Sequence, residues 1–260
     1  ARIKSDGRRE YDVFRQLINP QHPFSKFSVG SLQTLADRPN DKVRDDLLDF
    51  YAKHYSSDQM TLVVLGKETI DELKRMVEAR FDKVAFREVE APVNKAPLFA
   101  GDALPMEVLI RPVQDIQQME MLFPLPSIKA YYHQKPLNYL GSILGHEGKG
   151  SLLSVLKAQG WAEGLSAGGG EMGTGNATFS INISLTDEGL KQREMIRALV
   201  FHALDVIRQQ GVEQWRYEEE KQLASLAFQF REKGRAVDTV SRLSSQLHDY
   251  PAEEVISAAY

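Results

Sequence analysis

The stretch GHEGKGSLL, residues 145–153, holds the residue types that chemistry most often uses. His146 and Glu147 suggest metal or acid–base work, and Gly145, Gly148 and Gly150 around Lys149 suggest a phosphate cradle. Spacing removes both. Two histidines meet one metal from a helix when they stand four residues apart, with a glutamate beside them. The six histidines are His22, His54, His133, His146, His202 and His248, and no pair has that spacing. His146 and Glu147 are adjacent, so on regular structure they point apart. A Walker A loop ending at Gly148-Lys149 would need glycine where Ile143 stands and Ser or Thr where Gly150 stands. The run GGGEMG, 168–173, fits G-x-G-x-x-G literally, but strand-like sequence follows it. No helix N-terminus is then available to a pyrophosphate, and the run reads as a hairpin loop. No G-x-S-x-G occurs, and the absence of cysteine removes disulfides, thiolate nucleophiles and Cys-type zinc sites.

A backbone argument remains. Glycines between two helices let main chain approach a ligand without side-chain interference. Their N–H and C=O groups can bond an extended peptide, and Glu147 can pair with a cation such as a peptide N-terminal amine. The strand 161–167 could offer an edge in the same way.

The elements that would position these residues follow from periodicity. Residues 2–18 read as a helix ending before Asn19-Pro20, and 19–40 as loop. Asp41 can cap a helix running to Tyr55, with Leu47, Leu48, Tyr51 and Tyr55 as its apolar stripe. MTLVVLG, 60–66, reads as a buried strand, and 69–82 as an amphipathic helix. MEVLIRPV (106–113) and QQMEMLFPL (117–125) read as a strand pair. Helices are expected over 130–144 and 151–159, with Ser151 as N-cap and Gly160 just past the end. In NATFSINISL, 176–185, Ala177, Phe179, Ile181, Ile183 and Leu185 alternate with polar residues, as in a half-buried strand. Thr186 caps a helix reaching residue 211, and helices over 213–231 and 236–247 follow. The predicted fold is α+β, with antiparallel sheets and helices packed on one face. The prolines at 92, 97 and 105 mark an extended linker over 87–105, between a domain at 1–86 and another at 106–260.

The chain has 260 residues, a net charge of −4 with mixed signs, and no long apolar run. No nucleic-acid field and no membrane span are implied. It begins without Met, inside helix-like sequence, and stops where a new helix would start, so an excised piece of a longer protein is expected.

Five stretches carry a family resemblance: NPQHPFSKFSVGSLQTL, LLDFYAKHYSSDQMTLVVLGKETIDEL, GHEGKGSLLSVLKAQGWAEGLSAG, SLTDEGL and YPAEEV. In order and spacing the chain resembles the pitrilysin and insulin-degrading-enzyme group of M16 zinc metallopeptidases. The resemblance implies two consecutive LuxS/MPP-like domains, the first incomplete. It also implies a zinc endopeptidase as parent, with peptide substrates and with N-terminal and C-terminal halves as partners of this piece. The inverted H-x-x-E-H motif of the family does not occur in this sequence, so no catalytic or metal residue is assigned and none of the parent's zinc is expected here. Carried over from the family's substrate-anchoring exosite, Gly145, His146, Glu147, Leu165 and Ala167 would bind the peptide's N-terminal end. Ala167 departs from the family's glycine. Tyr11 matches an aromatic position facing substrate, and Arg8 departs from another. A non-catalytic binding or assembly subunit of the same family is the alternative.

Overall fold

The computed structural model describes residues 5–26, 29–39, 41–91 and 94–260, so the predicted helix start at 2–4 and Pro92 lie outside the described residues. The chain forms two compact units that interleave in sequence, one from residues 1–26 and 93–226, the other from 27–92 and 227–260.

The first unit is built on a three-stranded antiparallel sheet. Its strands are β1 (Gln118–Pro126), β2 (Ala162–Glu171) and β3 (Asn176–Leu185), in the order β1-β3-β2. The alternation predicted for β3 is observed: Ala177, Phe179, Ile181, Ile183 and Leu185 are buried. On the same face, Met119, Met121 and Phe123 of β1 stand opposite Ile183, Ile181 and Phe179. Three helices cover this face with Leu137, Leu144, Leu153, Leu156, Ile196 and Val200: α4 (Pro136–Leu144), α5 (Leu152–Ala158) and α7 (Arg193–Gln210). Leu122 points the other way, as strand alternation requires. It joins a smaller cluster of Ile18, Leu98 and Phe99 with Phe14 and Leu17 of α1 (Asp6–Leu17). The Asp6 carboxylate at the start of α1 accepts the N–H groups of Val113 and Gln114, each at 2.9 Å.

The junction leading into β2 is tightly specified. Helix α5 starts at Ser151, whose side chain accepts the Ser154 N–H at 3.1 Å. It ends at Gly160 (φ +70°), where Gly160 N–H bonds Lys157 C=O and Trp161 N–H bonds Leu156 C=O, a Schellman closure. The short helix α6 (Asp187–Lys191) is capped by Thr186, which accepts the Gly189 N–H and donates to the Gly160 carbonyl at 2.6 Å. A side chain on Gly189 would place its Cβ 1.8 Å from the Trp161 carbonyl oxygen.

Four expectations are corrected. Residues 60–66 form no strand, and Leu62, Val64 and Leu65 are about half exposed. Residues 106–113 do not pair with β1, whose partner is β3, and Leu109 is exposed. The reason is common to both: an apolar run becomes a strand only when a neighbour supplies hydrogen bonds along it, and no described residue does so. Helix α2 (Val43–His54) forms, but Asp41 does not cap it, the Val43 N–H bonding the Asp37 carboxylate at 3.1 Å instead, and its stripe Leu47, Leu48 and Tyr51, with Tyr55 just beyond, stays about half exposed. The helix expected from 186 to 211 breaks at Gln192 into α6 and α7. Boundaries shift elsewhere too: α4 starts at Pro136, whose fixed φ and missing N–H suit the first helical position.

The second unit also holds α3 (Ile70–Phe81) and α9 (Ala236–Gln246). Thr69 and Glu72 form a capping box at the start of α3. Thr61 donates its hydroxyl to the Ser244 carbonyl at 2.6 Å, joining the 60–66 segment to α9. Buried Ser56 accepts the Arg87 N–H at 2.8 Å and bonds the Asp58 carboxylate.

His22 is 1% exposed. Its Nδ1 accepts the Phe24 N–H at 3.2 Å, and its Nε2 stands 3.2 Å from the Asn176 side-chain amide. Accepting at Nδ1 puts the ring proton on Nε2, which requires the Asn176 amide to turn its oxygen toward the ring, and a second proton would break the Phe24 bond. Burial lowers the His22 pKa below its ordinary value of 6.5. A histidine lowered on folding contributes stability that is complete above about pH 6.5 and is lost as pH falls below it, because the unfolded chain binds the proton first. His22→Asn keeps an acceptor for Phe24 N–H without the titration. Urea unfolding at pH 7.5 and 5.5 should show a larger loss on acidification in the parent sequence than in this variant; equal losses would refute the assignment. Gly189→Ala should cost about 1–3 kcal/mol in the same assay, overpacking against a backbone carbonyl exceeding the gain in helix propensity.

Candidate functional site: a groove along the free edge of β2

The site forms where α4 ends beside β2. Helix α4 approaches the strand through glycine. A Cβ on Gly141 would stand 2.9 Å from the Ala167 carbonyl oxygen and 3.4 Å from the Gly168 Cα. Gly145 closes the helix, its N–H bonding Gly141 C=O at 2.8 Å, and a Cβ there would lie 3.7 Å from the Ala167 nitrogen. The chain then turns through 146–151. The His146 ring folds over Gly148, where a Cβ would meet its Nε2 at 2.5 Å. Gly150 takes φ +87°, a conformation that glycine adopts without strain.

Strand β2 has one neighbour. In an antiparallel ladder each residue directs both its polar backbone groups to the same side, and successive residues alternate. Met172 N–H bonds Asn176 C=O, and Gly164 through Glu171 pair with β3 without interruption. Gly164, Ser166, Gly168 and Gly170 therefore face β3. Leu165, Ala167 and Gly169 direct N–H and C=O away from it. The same parity follows from β3, where Leu185 N–H bonds Gln117 C=O on the β1 side.

A groove of about 500 Å³ lies along this outward edge. Leu137, Asn138, Gly141, Ser142 and Gly145 form one wall; Leu165, Ser166, Ala167, Gly168 and Gly169 form the other; Glu220 of α8 (Gln214–Gln229) also lines it. Tyr139 holds α8 in place: its hydroxyl accepts the Glu213 N–H at 2.9 Å and its ring stands 6.3 Å from that of Tyr217.

Of the residues singled out in the sequence, Gly145, Leu165 and Ala167 come together in the groove wall. His146 and Glu147 are exposed on the adjoining turn, outside the lining, and Tyr11 is exposed on α1, also outside it. The run GGGEMG is corrected: residues 168–171 belong to β2, not to a hairpin loop, which is confined to 172–175. Sequence reasoning missed Gly141, Gly168, Gly169 and Glu220. The spacing of Gly141 and Gly145, one helical turn apart, was the available signal for a close approach. Among the described residues, no group of three or more His, Asp or Glu stands where it could hold a metal ion.

An edge strand with outward backbone groups, beside a helix that glycine brings close, leaves a groove with backbone donors and acceptors on an α+β scaffold. The "Peptidase M16 inactive domain" profile matches residues 42–223, and the chain belongs to the M16 peptidase family. Insulin-degrading enzyme from Bos taurus and from Homo sapiens are each 38% identical over 261 residues, covering 99% of this chain and 26% of theirs. The A-factor-processing enzyme of Saccharomyces cerevisiae is 34% identical over 260 residues, covering 98% of this chain and 25% of its own. The chain thus spans about a quarter of the length of the curated relatives it matches. Among solved structures, pitrilysin superposes with a TM-score of 0.90 at 28% identity, over 98% of this chain and 27% of that one. The periplasmic protease PqqL from Escherichia coli shares the fold alone, with a TM-score of 0.67 at 13% identity over 98% of this chain and 29% of that one.

Two glycine substitutions test the close approach. Gly141→Ala should cost about 1 kcal/mol net, because backbone must shift against the Ala167 carbonyl despite better helix propensity. Gly168→Ala meets nothing within 4 Å and should be neutral within about 0.5 kcal/mol. Chemical denaturation of both variants checks the difference.

Proposed function

We propose that this chain is a non-catalytic segment of a longer zinc-dependent metalloendopeptidase. It forms part of the wall of the substrate chamber and anchors the N-terminal end of the peptide. The observation that carries the reading is the outward backbone of Leu165 and Ala167 in a groove walled by Gly141 and Gly145. An extended peptide adds to such an edge as a further strand, with main-chain bonds giving affinity largely independent of sequence. Gly145 gives room beside the strand. Glu147, on the exposed turn, attracts the terminal amine, with His146 beside it. Tyr11 contributes an aromatic surface toward substrate from α1.

Zinc and its hydrolytic chemistry belong, on this reading, to other parts of the longer protein, where a bound metal would activate water for amide hydrolysis. No residue of this chain is assigned to them. Peptide substrates and the remaining segments of the enzyme are the proposed partners. No helix among the described residues is long and apolar enough to cross a membrane.

Glu147→Gln in the full-length enzyme should weaken capture of peptides with free N-termini by about two- to fivefold, the range of an exposed ion pair. N-acetylated peptides should be nearly unaffected. Competition against a fluorogenic substrate measures both, and equal effects would refute the amine role.

A further inference from the structure

The groove wall is almost entirely neutral. Among the described residues, leucine, alanine, glycine, serine and asparagine account for every lining residue but one, and that one is Glu220. Two carboxylates at and near the start of α8 are paired. Glu213 pairs with Arg216 at 2.8 Å and Glu218 with Lys221 at 3.8 Å. The side chain of Glu220, which is half-buried, has no ion-pair or hydrogen-bond partner among the described residues. Its position is built. Glu213, Tyr217 and Glu220 lie four and three residues apart, on one helix face. The first two are held against Tyr139 of α4, which directs that face toward the groove.

We infer that Glu220 is the cation-recognising group inside the groove, beyond the exposed Glu147 that draws the terminal amine toward it: it takes a positively charged group of the bound peptide, either the N-terminal ammonium once seated or a lysine or arginine side chain near it. This rests on the reading of the β2 edge as a peptide-binding strand. Charge complementarity carries the inference. The outward N–H and C=O groups of Leu165 and Ala167 bind any backbone, so they confer no preference. A single carboxylate in a neutral, partly desolvated groove does, because its field is less screened there than that of Glu147 in open solvent. The groove therefore favours peptides with a cationic end segment and disfavours acidic ones.

The test uses the full-length protein with its metal chelated, so that binding is read without cleavage. Short peptides labelled at the C-terminus are compared by fluorescence anisotropy: free or acetylated at the N-terminus, with lysine or norleucine near it. Glu220→Gln, which is isosteric on a half-exposed helix position, should weaken cation-bearing peptides about five- to tenfold, as expected for a charge-assisted hydrogen bond. The doubly neutral peptide should bind both forms alike. Loss confined to the free-amine peptides identifies the ammonium, and loss confined to the lysine peptides identifies the side chain. Ala167→Pro removes an outward N–H and should weaken every peptide, the neutral one included. If Ala167→Pro weakens binding while Glu220→Gln changes nothing, or changes all peptides equally, the role of Glu220 is overturned and the strand-edge reading stands. If Ala167→Pro leaves every peptide unchanged, the strand-edge reading itself fails.

Discussion

A backbone N–H or C=O that is taken from bulk water must still be bonded, and among the described residues β2 has one neighbouring strand to bond it. Alternate residues therefore direct their polar groups outward, Leu165, Ala167 and Gly169 among them. A helix packed in the ordinary way would cover that edge with side chains. Here α4 meets it through Gly141 and Gly145, so the edge is approached by backbone and a groove is left beside it. The candidate site is the consequence of an unpaired sheet edge and two missing side chains.

The rest of the first unit holds that edge still. Leu165 shares the buried face with Ile183 and Ile181, so β2 cannot slip by one residue without turning its apolar side chain to solvent. The Thr186–Gly189 turn clasps the end of α5 at Gly160 and Trp161, which sets where β2 begins. Tyr139 ties α4 to α8 and so places a carboxylate over a groove that is otherwise neutral. Each contact is local and modest. Their common effect is to fix which backbone groups face outward.

Strand β3 was legible because its signal is local. Five apolar residues alternate with polar ones, and period two survives any context that buries one face. The caps at Ser151, Thr186 and Gly160 were legible for the same reason, since a cap bonds its own helix. The runs 60–66 and 106–113 were misleading because pairing is not local: apolarity says that a segment would be buried in a sheet, not that a partner strand is adjacent. The glycines 168–170 misled in the opposite sense. Their composition disfavours a strand, yet β3 supplies the ladder and holds them in one.

The sequence by itself determined the α+β class, the helix caps at Ser151 and Thr186 and the family, because motif order, periodicity and glycine positions are properties of the chain alone. It also brought Gly145, Leu165 and Ala167 to attention. Only the tertiary structure decided which residues share the groove. Placing Gly141 against the Ala167 carbonyl, and Glu220 beside a strand about fifty residues away, depends on packing between elements distant in sequence. Side-chain volume and hydrogen-bond parity across a sheet settle that, and neither is written in any one segment.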